Sequence, residues 1–574
     1  MLSTYTYPKY AYRRPPEIGA AAVRRVPLVV VGAGPVGLAA AIDGAQRGLP
    51  VLLLDEDDTV SVGSRGLCYA KRALEVLDRL GVGERVVAKG VTWNVGRTFH
   101  HEREVFRFDL LPESGHRRPG MVNLQQYWLE QYLVERAAEL PGIELRWRNK
   151  VVDVRPGRGE AGATEIDVET ADGRYTLQAD WLVVADGARS PIRRLLGLDI
   201  EGKVFQDRFL IADVVMKGEL FPVDRTERWF WFDPPFHGGQ GVPASPGAQA
   251  GTSVLLHREA DDVWRIDFQL GWNADPRDAE AEKQPERVIP RIRALLDQQG
   301  YGHVDFELEW VSVYTFQCRR MTAFRHGRVL FTGDAAHQVS PFGARGANSG
   351  LQDSDNLMWK LALVMQGAAP ERLLDSYAHE RQQAADENIL NSTRATDFIT
   401  PKSRVSRTFR RAVLTLAAEH PFARGLVNSG RLSVPTSYAD SPLSTPDRTR
   451  PGDEFAGWTM PGAPAEDAPW PAEDGGGWLL ERLCRLGEGG SGFVLMLFRD
   501  VPTEAERAVI DELAAGTVPV RTLRVDPGGL AARRYDASPG TAYLMRPDQH
   551  VAARWRRLES GAARAALARA TGQS

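Results

Sequence analysis

A short apolar run followed by a glycine pattern constrains the fold of this chain more than any other feature. Leu28–Val31 reads Leu-Val-Val-Val, which predicts a buried parallel strand. The spacing Gly-x-Gly-x-x-Gly follows at Gly32, Gly34 and Gly37, and an alanine-rich segment then predicts a helix. The first glycine permits a tight turn, the second lets a pyrophosphate approach the backbone, and the third lets the helix pack on the strand. The helix N-terminus then faces the phosphates.

A second predicted strand ends in an acidic residue at the position that such a site requires. Val51–Leu54 is apolar, and Asp55 follows it, 23 residues after Gly32. A carboxylate about 20 residues after the glycine pattern binds the ribose of a dinucleotide. A lone glycine pattern is a weak signal, but strand, glycines, helix, strand and acid in this order predict dinucleotide binding.

Composition excludes several functional classes. With 574 residues, 43% hydrophobic residues, 25% charged residues and a net charge of -4, the chain is typical of globular proteins, and no nucleic-acid partner is predicted. No apolar run approaches the ~18 residues of a membrane span, so no membrane partner is predicted either. Cys68, Cys318 and Cys484 lie far apart without a Cys-x-x-Cys pair. This argues against a disulfide scaffold or a zinc ribbon, predicts no metal site, and fits the cytoplasm.

The order of patterns predicts an α/β chain whose first domain is discontinuous. Strands alternating with helices are followed by alternating segments typical of an antiparallel sheet, and the parallel pattern resumes at Gly327. A last α/β segment includes a strand-like run at Trp478–Leu480. The predicted divisions are an N-terminal tail at 1–26, a Rossmann-like domain at 27–204 and 321–395, an inserted, mostly antiparallel sheet domain at 205–320, a helix and linker at 396–450, and a small α/β domain at 451–574.

Two further motifs accompany the first glycine pattern. Asp186-Gly187 ends a predicted buried strand, and Gly333-Asp334 leads into the segment 340–348. The three motifs together resemble the class A flavoprotein monooxygenases, the single-component FAD-dependent aromatic hydroxylases related to para-hydroxybenzoate hydroxylase. The resemblance is closer to the phenol hydroxylase and 3-(3-hydroxyphenyl)propionate hydroxylase-like members, which carry a C-terminal thioredoxin-like domain. It covers about residues 27–574, and residues near 91–120 would contribute to the substrate side.

The resemblance implies a set of FAD-binding residues. Asp55 would bind the adenosine ribose, Arg65 the ribityl or phosphate oxygens, and Asp334 a ribityl hydroxyl. The helix starting near Asn348 would point its positive end at the flavin and stabilise negative charge on the reduced ring. The predicted cofactor-binding residues are Gly32, Gly34, Pro35, Gly37, Asp55, Glu56, Arg65, Gln126, Asp186, Gly333, Asp334, Pro341, Gly346, Ala347 and Asn348.

The chain departs from the family pattern at one position. The family reads Pro-x-x-Gly-x-Gly-x-Asn, and here Ala344 stands at the first of those glycines, directly after Gly343. His337, in the same segment, fits either a catalytic or a structural histidine. FAD is expected to bind non-covalently, because no motif requires a histidine or cysteine attachment.

The resemblance also implies the reaction. A small aromatic, phenolic substrate would be hydroxylated with NAD(P)H and O2 through a flavin C4a-hydroperoxide. Because an unperturbed phenol has a pKa near ~10, a nearby His or Tyr would help to remove or share its proton. The candidates in the inserted sheet are Tyr314, His237 and His257, and Tyr314 is favoured because its strand runs into the Gly-Asp motif. Trp229, Trp231 and Phe316 are expected to form an aromatic pocket wall.

Three alternatives remain open. The first is a natural-product tailoring oxygenase that acts on a polycyclic substrate by hydroxylation or Baeyer–Villiger insertion. The second is a flavin reductase or dehydrogenase that does not use O2, and the third is a non-catalytic flavin-binding protein. The thioredoxin-like tail lacks Cys-x-x-Cys and so cannot run a dithiol cycle. It is expected to support packing or a homodimer.

Overall fold

The computed structural model describes residues 2–218, 227–234, 253–271, 279–427, 432, 434–447, 452–472, 475–487 and 492–574. The strands are β1 (Arg24–Val31), β2 (Val51–Leu54), β3 (Cys68–Ala70), β4 (Val91–Trp93), β5 (Val95–His100), β6 (Arg103–Asp109), β7 (Met121–Asn123), β8 (Ile143–Arg146), β9 (Lys150–Arg155), β10 (Thr164–Thr170), β11 (Gly173–Val184), β12 (Ile200–Met216), β13 (Glu227–Phe232), β14 (Ser253–Arg258), β15 (Val263–Gly271), β16 (Phe306–Met321), β17 (Arg325–His326), β18 (Val329–Phe331), β19 (His337–Gln338), β20 (Val494–Leu497), β21 (Arg521–Arg524), β22 (Ala542–Met545) and β23 (Val551–Trp555). The helices are α1 (Pro35–Gln46), α2 (Lys71–Leu80), α3 (Gly83–Lys89), α4 (Gln126–Ala138), α5 (Pro191–Leu195), α6 (Ala279–Glu282), α7 (Pro285–Gln298), α8 (Gly346–Met365), α9 (Asp375–Ile399), α10 (Arg404–Glu419), α11 (Pro421–Val427), α12 (Leu479–Gly487), α13 (Glu504–Ala514), α14 (Leu530–Arg534) and α15 (Ser560–Ala570).

The first sheet is organised around the predicted strand β1. Its parallel strands lie in the order β8-β2-β1-β11-β18, and β10, β9 and β17 extend it with antiparallel pairs. Leu28, Val29 and Val30 are fully buried, because helices cover both faces of a parallel sheet. After β16 of the second sheet the chain returns to this sheet as β18, and α8 then packs beside α1.

The second sheet has one apolar face and one mixed face. Its order is β19-β16-β12-β15-β14-β13-β5-β6, and each neighbouring pair is antiparallel except β13 and β5. Alternate residues of the central strands, such as Leu210, Ile266 and Phe268, pack with Val288 and Ile292 of α7. Because side chains alternate across a strand, the residues between them face the opposite side.

The C-terminal sheet, β20 to β23, lies in the order β21-β20-β22-β23. β20 and β21 are parallel and connected through α13, and the other two pairs are antiparallel. The expected strand at Trp478–Leu480 is wrong, because helix α12 begins at Leu479. A short apolar run does not distinguish a strand from a helix, and here Leu479, Leu480 and Leu483 form the buried face of the helix.

A buried ion cluster connects the C-terminal sheet to the first sheet's helices. The side chains of Lys360, Glu380, Arg546 and Asp548 are fully buried. Arg546 donates two hydrogen bonds to Glu380, at 2.6 and 2.9 Å, and two to Asp548, at 3.0 and 2.6 Å. Lys360 donates to Glu380 at 2.8 Å. Burial favours the neutral carboxyl, but Arg546 and Lys360 hold the pKa of Glu380 well below its ordinary value.

Among the described helices, none combines the length and the apolar character that crossing a bilayer requires.

Candidate cofactor and substrate site

A cavity of about 550 Å³ lies where the three motifs meet the mixed face of the second sheet. β1, β2, β11 and β18 run parallel, so the motifs that follow them share one edge of the first sheet, where such folds bind ligands. The predicted cofactor residues that line the cavity are Gly32, Gly34, Pro35, Asp55, Glu56, Arg65, Gln126, Asp186, Asp334, Pro341, Gly346, Ala347 and Asn348. Gly37 and Gly333 do not line the cavity, but they lie against Gly32 and Val36, which do. Of the catalytic candidates, Tyr314 and His257 line the cavity, and His237 lies outside the described residues.

The three glycines of the first motif have different physical roles. Gly32 has a φ of +104°, and a Cβ there would lie 2.4 Å from the carbonyl oxygen of Ala185. A Cβ on Gly37 would lie 1.8 Å from the oxygen of Gly32. By contrast, a Cβ on Gly34 would meet no protein atom within 4 Å. Gly32 and Gly37 are therefore required by packing, and Gly34 leaves open the space that a pyrophosphate would occupy.

The side chain of Asp55 fixes the glycine loop to the end of β2. Its Oδ2 accepts a hydrogen bond from the amide of Ala33, and its Oδ1 accepts one from the amide of Asp57 at 2.8 Å. Burial raises the pKa of Asp55 to about 6. Its two oxygens each keep further acceptor capacity toward the cavity, which fits a ribose hydroxyl.

Gln126 holds the loop that carries Arg65. Its Oε1 accepts a hydrogen bond from the amide of Gly66 at 2.7 Å, and its Nε2 donates to Glu130 at 2.7 Å and to Ser61 at 3.3 Å. The amide group therefore makes its bonds within the protein while it lines the cavity. The Arg65 side chain is exposed at the cavity, and no described carboxylate forms an ion pair with it.

Two aspartates at the cavity have acceptor capacity that the described residues leave unused. One oxygen of Asp186 accepts from the amide of Ile192 at 3.0 Å, and the other is buried without a hydrogen-bond partner. The Asp334 side chain is exposed to the cavity. Desolvation by the surrounding protein raises its pKa, and the nearby His337 opposes that effect. Carboxylate acceptors at these positions fit the hydroxyl groups of FAD.

A residue that sequence reasoning missed holds the Gly333-Asp334 turn. Asp353, fully buried on α8, accepts hydrogen bonds from the amide of Gly333 at 2.9 Å, from His337 at 2.6 Å and from Arg381 at 2.5 Å. Burial favours its neutral form, but His337 and Arg381 lower its pKa. His337 does not line the cavity, so its contacts are those of a structural histidine. The only sequence signal was a carboxylate on an otherwise buried helix.

The turn before α8 forms despite the alanine that replaces a family glycine. Ala344 adopts a left-handed φ of +51°, and Gly343 has a φ of +113°. The left-handed region costs a non-glycine residue about 1–2 kcal/mol. Asn348 stabilises the turn: its Nδ2 donates to the oxygens of Ala344 and Cys68, and its Oδ1 accepts from the amide of Ala70 at 2.8 Å.

The aromatic wall of the cavity differs from the expectation. Phe316 lines the cavity together with Phe209 and Phe342, with ring centroids 4.9 to 5.3 Å apart. Trp229 and Trp231 were expected in the same wall, and this is wrong: they pack on the opposite face with the core under α7. Period-two alternation placed both tryptophans on one face, but sequence alone did not tell which face meets the cavity.

Burial determines the protonation of the two catalytic candidates in the cavity. It raises the pKa of the Tyr314 phenol, so that this group keeps its proton at neutral pH. It lowers the pKa of His257 well below the ordinary value, and Arg228 and Arg265 act in the same direction. His257 is therefore neutral, and its Nδ1 lies 4.0 Å from the Sγ of Cys68.

Replacing Asp334 with alanine is expected to weaken FAD binding by about 10- to 150-fold. The variant loses a charged hydrogen-bond acceptor worth about 1.5–3 kcal/mol. Fluorescence titration of apoprotein with FAD measures the change, and acid precipitation of the wild type should release FAD into the supernatant. Asp305→Ala removes an exposed surface carboxylate and is the matched control. Equal FAD affinity in Asp334→Ala and wild type would remove Asp334 from the site.

Comparison with known proteins agrees with this geometry. The family model described as FAD binding domain matches residues 25–392. The chain is 32% identical over 553 residues to 6-methylpretetramide 4-monooxygenase of Streptomyces rimosus, covering 92% of this chain and 91% of that protein. It is 28% identical over 425 residues to a 3-(3-hydroxy-phenyl)propionate/3-hydroxycinnamic acid hydroxylase of Mycobacterium sp. (strain JLS), covering 74% and 69%.

A solved structure shares the fold over nearly the whole chain. The flavin-dependent monooxygenase PieE, in complex with FAD and substrate, matches with a TM-score of 0.76 at 23% identity, covering 96% of this chain and 99% of that one. The family match spans more than half of the chain, and the predicted resemblance is confirmed. This chain belongs to the FAD binding domain family and is an FAD-dependent aromatic monooxygenase.

Proposed function

We propose that the enzyme hydroxylates a phenolic ring of a polycyclic natural product, with NAD(P)H as reductant and O2 as oxygen source. The observation that carries this proposal is that the dinucleotide motifs of the first sheet and the aromatic and polar side chains of the second line one and the same cavity. Such an arrangement suits a flat aromatic ring held against a flavin.

The extent of the similarity favours a polycyclic substrate over a simple phenolic acid. The relative that acts on 6-methylpretetramide matches along 91% of its length, whereas the hydroxyphenylpropionate hydroxylase matches along 69%. The first of these two relatives is also the more similar in sequence, at 32% against 28% identity. This supports the tailoring alternative within the same hydroxylase chemistry.

The protein's own side chains bind and orient the cofactor and the substrate, and they shield both from water. When bound, FAD supplies the redox and oxygen chemistry. The N-terminus of α8, at Gly346 and Ala347, lines the cavity and stabilises negative charge there. Phe209, Phe316 and Phe342 exclude water from the substrate side. Protonated Tyr314 is placed to donate a hydrogen bond to a substrate oxygen.

We include a thioredoxin-like fold for residues 451–574 in the proposal. The sequence β20-α13-β21, followed by the antiparallel strands β22 and β23 and helix α15, supports it. This segment contains one cysteine, Cys484, so the fold would serve packing rather than redox exchange. A homodimer, a cytoplasmic location and the domain divisions given above belong to the same proposal.

A comparison of substrates tests the proposal. Holoenzyme is given NADPH or NADH with hydroxylated anthraquinones and tetracyclic phenols, or with 3-(3-hydroxyphenyl)propionate. A polycyclic phenol is expected to accelerate NAD(P)H oxidation at least about tenfold more than the simple acid, because binding energy from the additional rings assists the chemical step. Product formation with the simple acid and with no polycycle would contradict the polycyclic assignment.

A further inference from the structure

Titratable side chains lie in a row across the cavity face of the second sheet. Asp213 of β12 lies opposite Arg265 of β15, which lies opposite His257 of β14. Arg265 is fully engaged: it donates to both oxygens of Asp213 at 2.7 and 2.8 Å and to the carbonyl oxygen of Ser64 at 2.6 Å, and it lies 3.2 Å from Glu259. Arg265 and Asp213 therefore satisfy one another, whereas both oxygens of Glu259 are buried without a hydrogen-bond partner among the described residues, and Glu259 does not line the cavity.

Asp267 lies two residues after Arg265 on β15, and its carboxylate has no comparable hydrogen-bonding partner among the described residues. Asp267 sits between Ile211 and Leu255, its cross-strand neighbours, and all three line the cavity. The Oδ1 of Asp267 is buried and has no hydrogen-bond partner among the described residues. The same holds for the Nε of Arg228, which lines the cavity from β13.

These two atoms define what a ligand must offer. Buried polar groups in proteins are nearly always hydrogen-bonded, so an unpaired acceptor and an unpaired donor in one cavity indicate a bound partner. Asp267 can accept a proton or a hydrogen bond, and Arg228 can donate to an oxygen that carries negative charge. A hydroxylated aromatic ring offers both functions in one group.

We propose that Asp267 accepts the proton of the substrate's phenolic hydroxyl and that Arg228 binds the resulting phenolate. This inference rests on the proposed function and specifies how the same site recognises its substrate. The O–H bond of the phenol breaks, the proton passes to a carboxylate oxygen of Asp267, and the negative charge remains on the phenolate oxygen. An electron-rich phenolate ring is the better acceptor of an electrophilic oxygen.

The protonation of the surrounding groups agrees with this assignment. Burial raises the pKa of Asp267 to about 7, against the opposing effect of Arg265, so it can exchange a proton near neutral pH. Burial also raises the pKa values of Tyr314 and Glu259 and lowers that of His257, so neither Tyr314 nor His257 is charged at neutral pH. The titratable and charged groups that face Asp267 from the surrounding elements are Cys68, Asp213, Arg228, His257, Glu259, Arg265 and Tyr314.

Ligand absorbance tests the proposal without requiring turnover. Holoenzyme is titrated from pH 5.5 to 9.5 with 2-hydroxyanthraquinone, whose neutral and anionic forms differ in colour, and with 2-methoxyanthraquinone, which has no proton to lose. The wild type is expected to bind the phenol as its anion at pH 7, and more than about tenfold more tightly than the ether. Asp267→Asn should keep its FAD and, because it has no carboxylate to take the proton, should release about one proton to the buffer for each phenol that it binds as the anion, whereas the wild type should release clearly fewer.

Two further variants and the kinetics complete the test. Arg228→Met should raise the pH at which the bound ligand ionises, and Glu307→Gln, an exposed carboxylate of the same sheet, should match the wild type. For any ligand that is turned over, kcat/KM of Asp267→Asn is expected to fall by about 100-fold or more. Equal proton release by the wild type and Asp267→Asn on binding the phenol, or equal affinity of the wild type for phenol and ether, would overturn the proposal. Anion binding by the wild type without oxygen insertion would support Asp267 and refute only the proposed function.

Discussion

Replacing Glu380 with alanine is expected to lower the free energy of unfolding by about 3–5 kcal/mol. Glu380 is the carboxylate that Lys360 and Arg546 share, and all three side chains are fully buried. Removing Glu380 leaves Lys360 and Arg546 charged and buried, and Asp548 is then the remaining carboxylate of the cluster. Urea unfolding of the FAD-loaded protein, followed by far-UV circular dichroism, measures the change.

The matched control is Glu371→Ala at the surface. Glu371 pairs with Arg325 and Arg328 but is half exposed, so its loss should cost no more than about 1 kcal/mol. The pKa of Glu380 lies below its unfolded value, so the ionised form stabilises the fold at neutral pH. That contribution is lost as the pH falls below about 4. A cost for Glu380→Ala as small as that of the control would refute the role of the buried cluster.

Replacing Gly34 with valine is expected to abolish FAD retention while leaving the protein folded. The backbone at Gly34 is extended, with a φ of -74°, and a Cβ there meets no protein atom within 4 Å. The valine Cβ would therefore extend into the space of the pyrophosphate without contacting the described protein atoms. We expect FAD affinity to fall by more than about 100-fold, since the closest backbone approach to the phosphates is blocked.

Variants of two other glycines distinguish a loss of cofactor binding from a loss of folding. Gly561→Ala, on α15, also meets open space but does not line the cavity, so it should keep FAD and stability. Gly37→Ala places its Cβ 1.8 Å from the oxygen of Gly32 and should disrupt the fold itself. Absorbance at the flavin band and circular dichroism distinguish the three variants. Full FAD content in Gly34→Val would show that the phosphates do not pass this residue.

Sequence alone predicted the strands, turns and helices that carry the cofactor motifs, because the sequence signals for these elements are local. β2 was predicted with the bounds that the structure has, and α1 begins at Pro35, directly after the glycine turn. The three motifs were predicted to form one site, and the structure brings them to one edge of the first sheet. Strand, turn and helix signals are determined by neighbouring residues, so they can be read without knowing the fold.

The substrate side could not be predicted in the same way. Alternation in β13 predicted that Trp229 and Trp231 share a face, but both faces of this sheet are covered, so the pattern did not identify the cavity face. Asp267 and Asp353 carry no motif. Their importance depends on partners from other strands and helices, such as Arg381 for Asp353. Only the tertiary structure shows those contacts.

Labelled dioxygen tests the central claim most directly. Holoenzyme, NAD(P)H and a phenolic ligand that accelerates NAD(P)H oxidation are incubated under 18O2, and the product is analysed by mass spectrometry. If the enzyme is a monooxygenase, one labelled oxygen atom appears in the hydroxylated ring for each NAD(P)H consumed in coupled turnover. Label absent from both product and peroxide, with NAD(P)H still consumed by another acceptor, would contradict the account and identify a reductase.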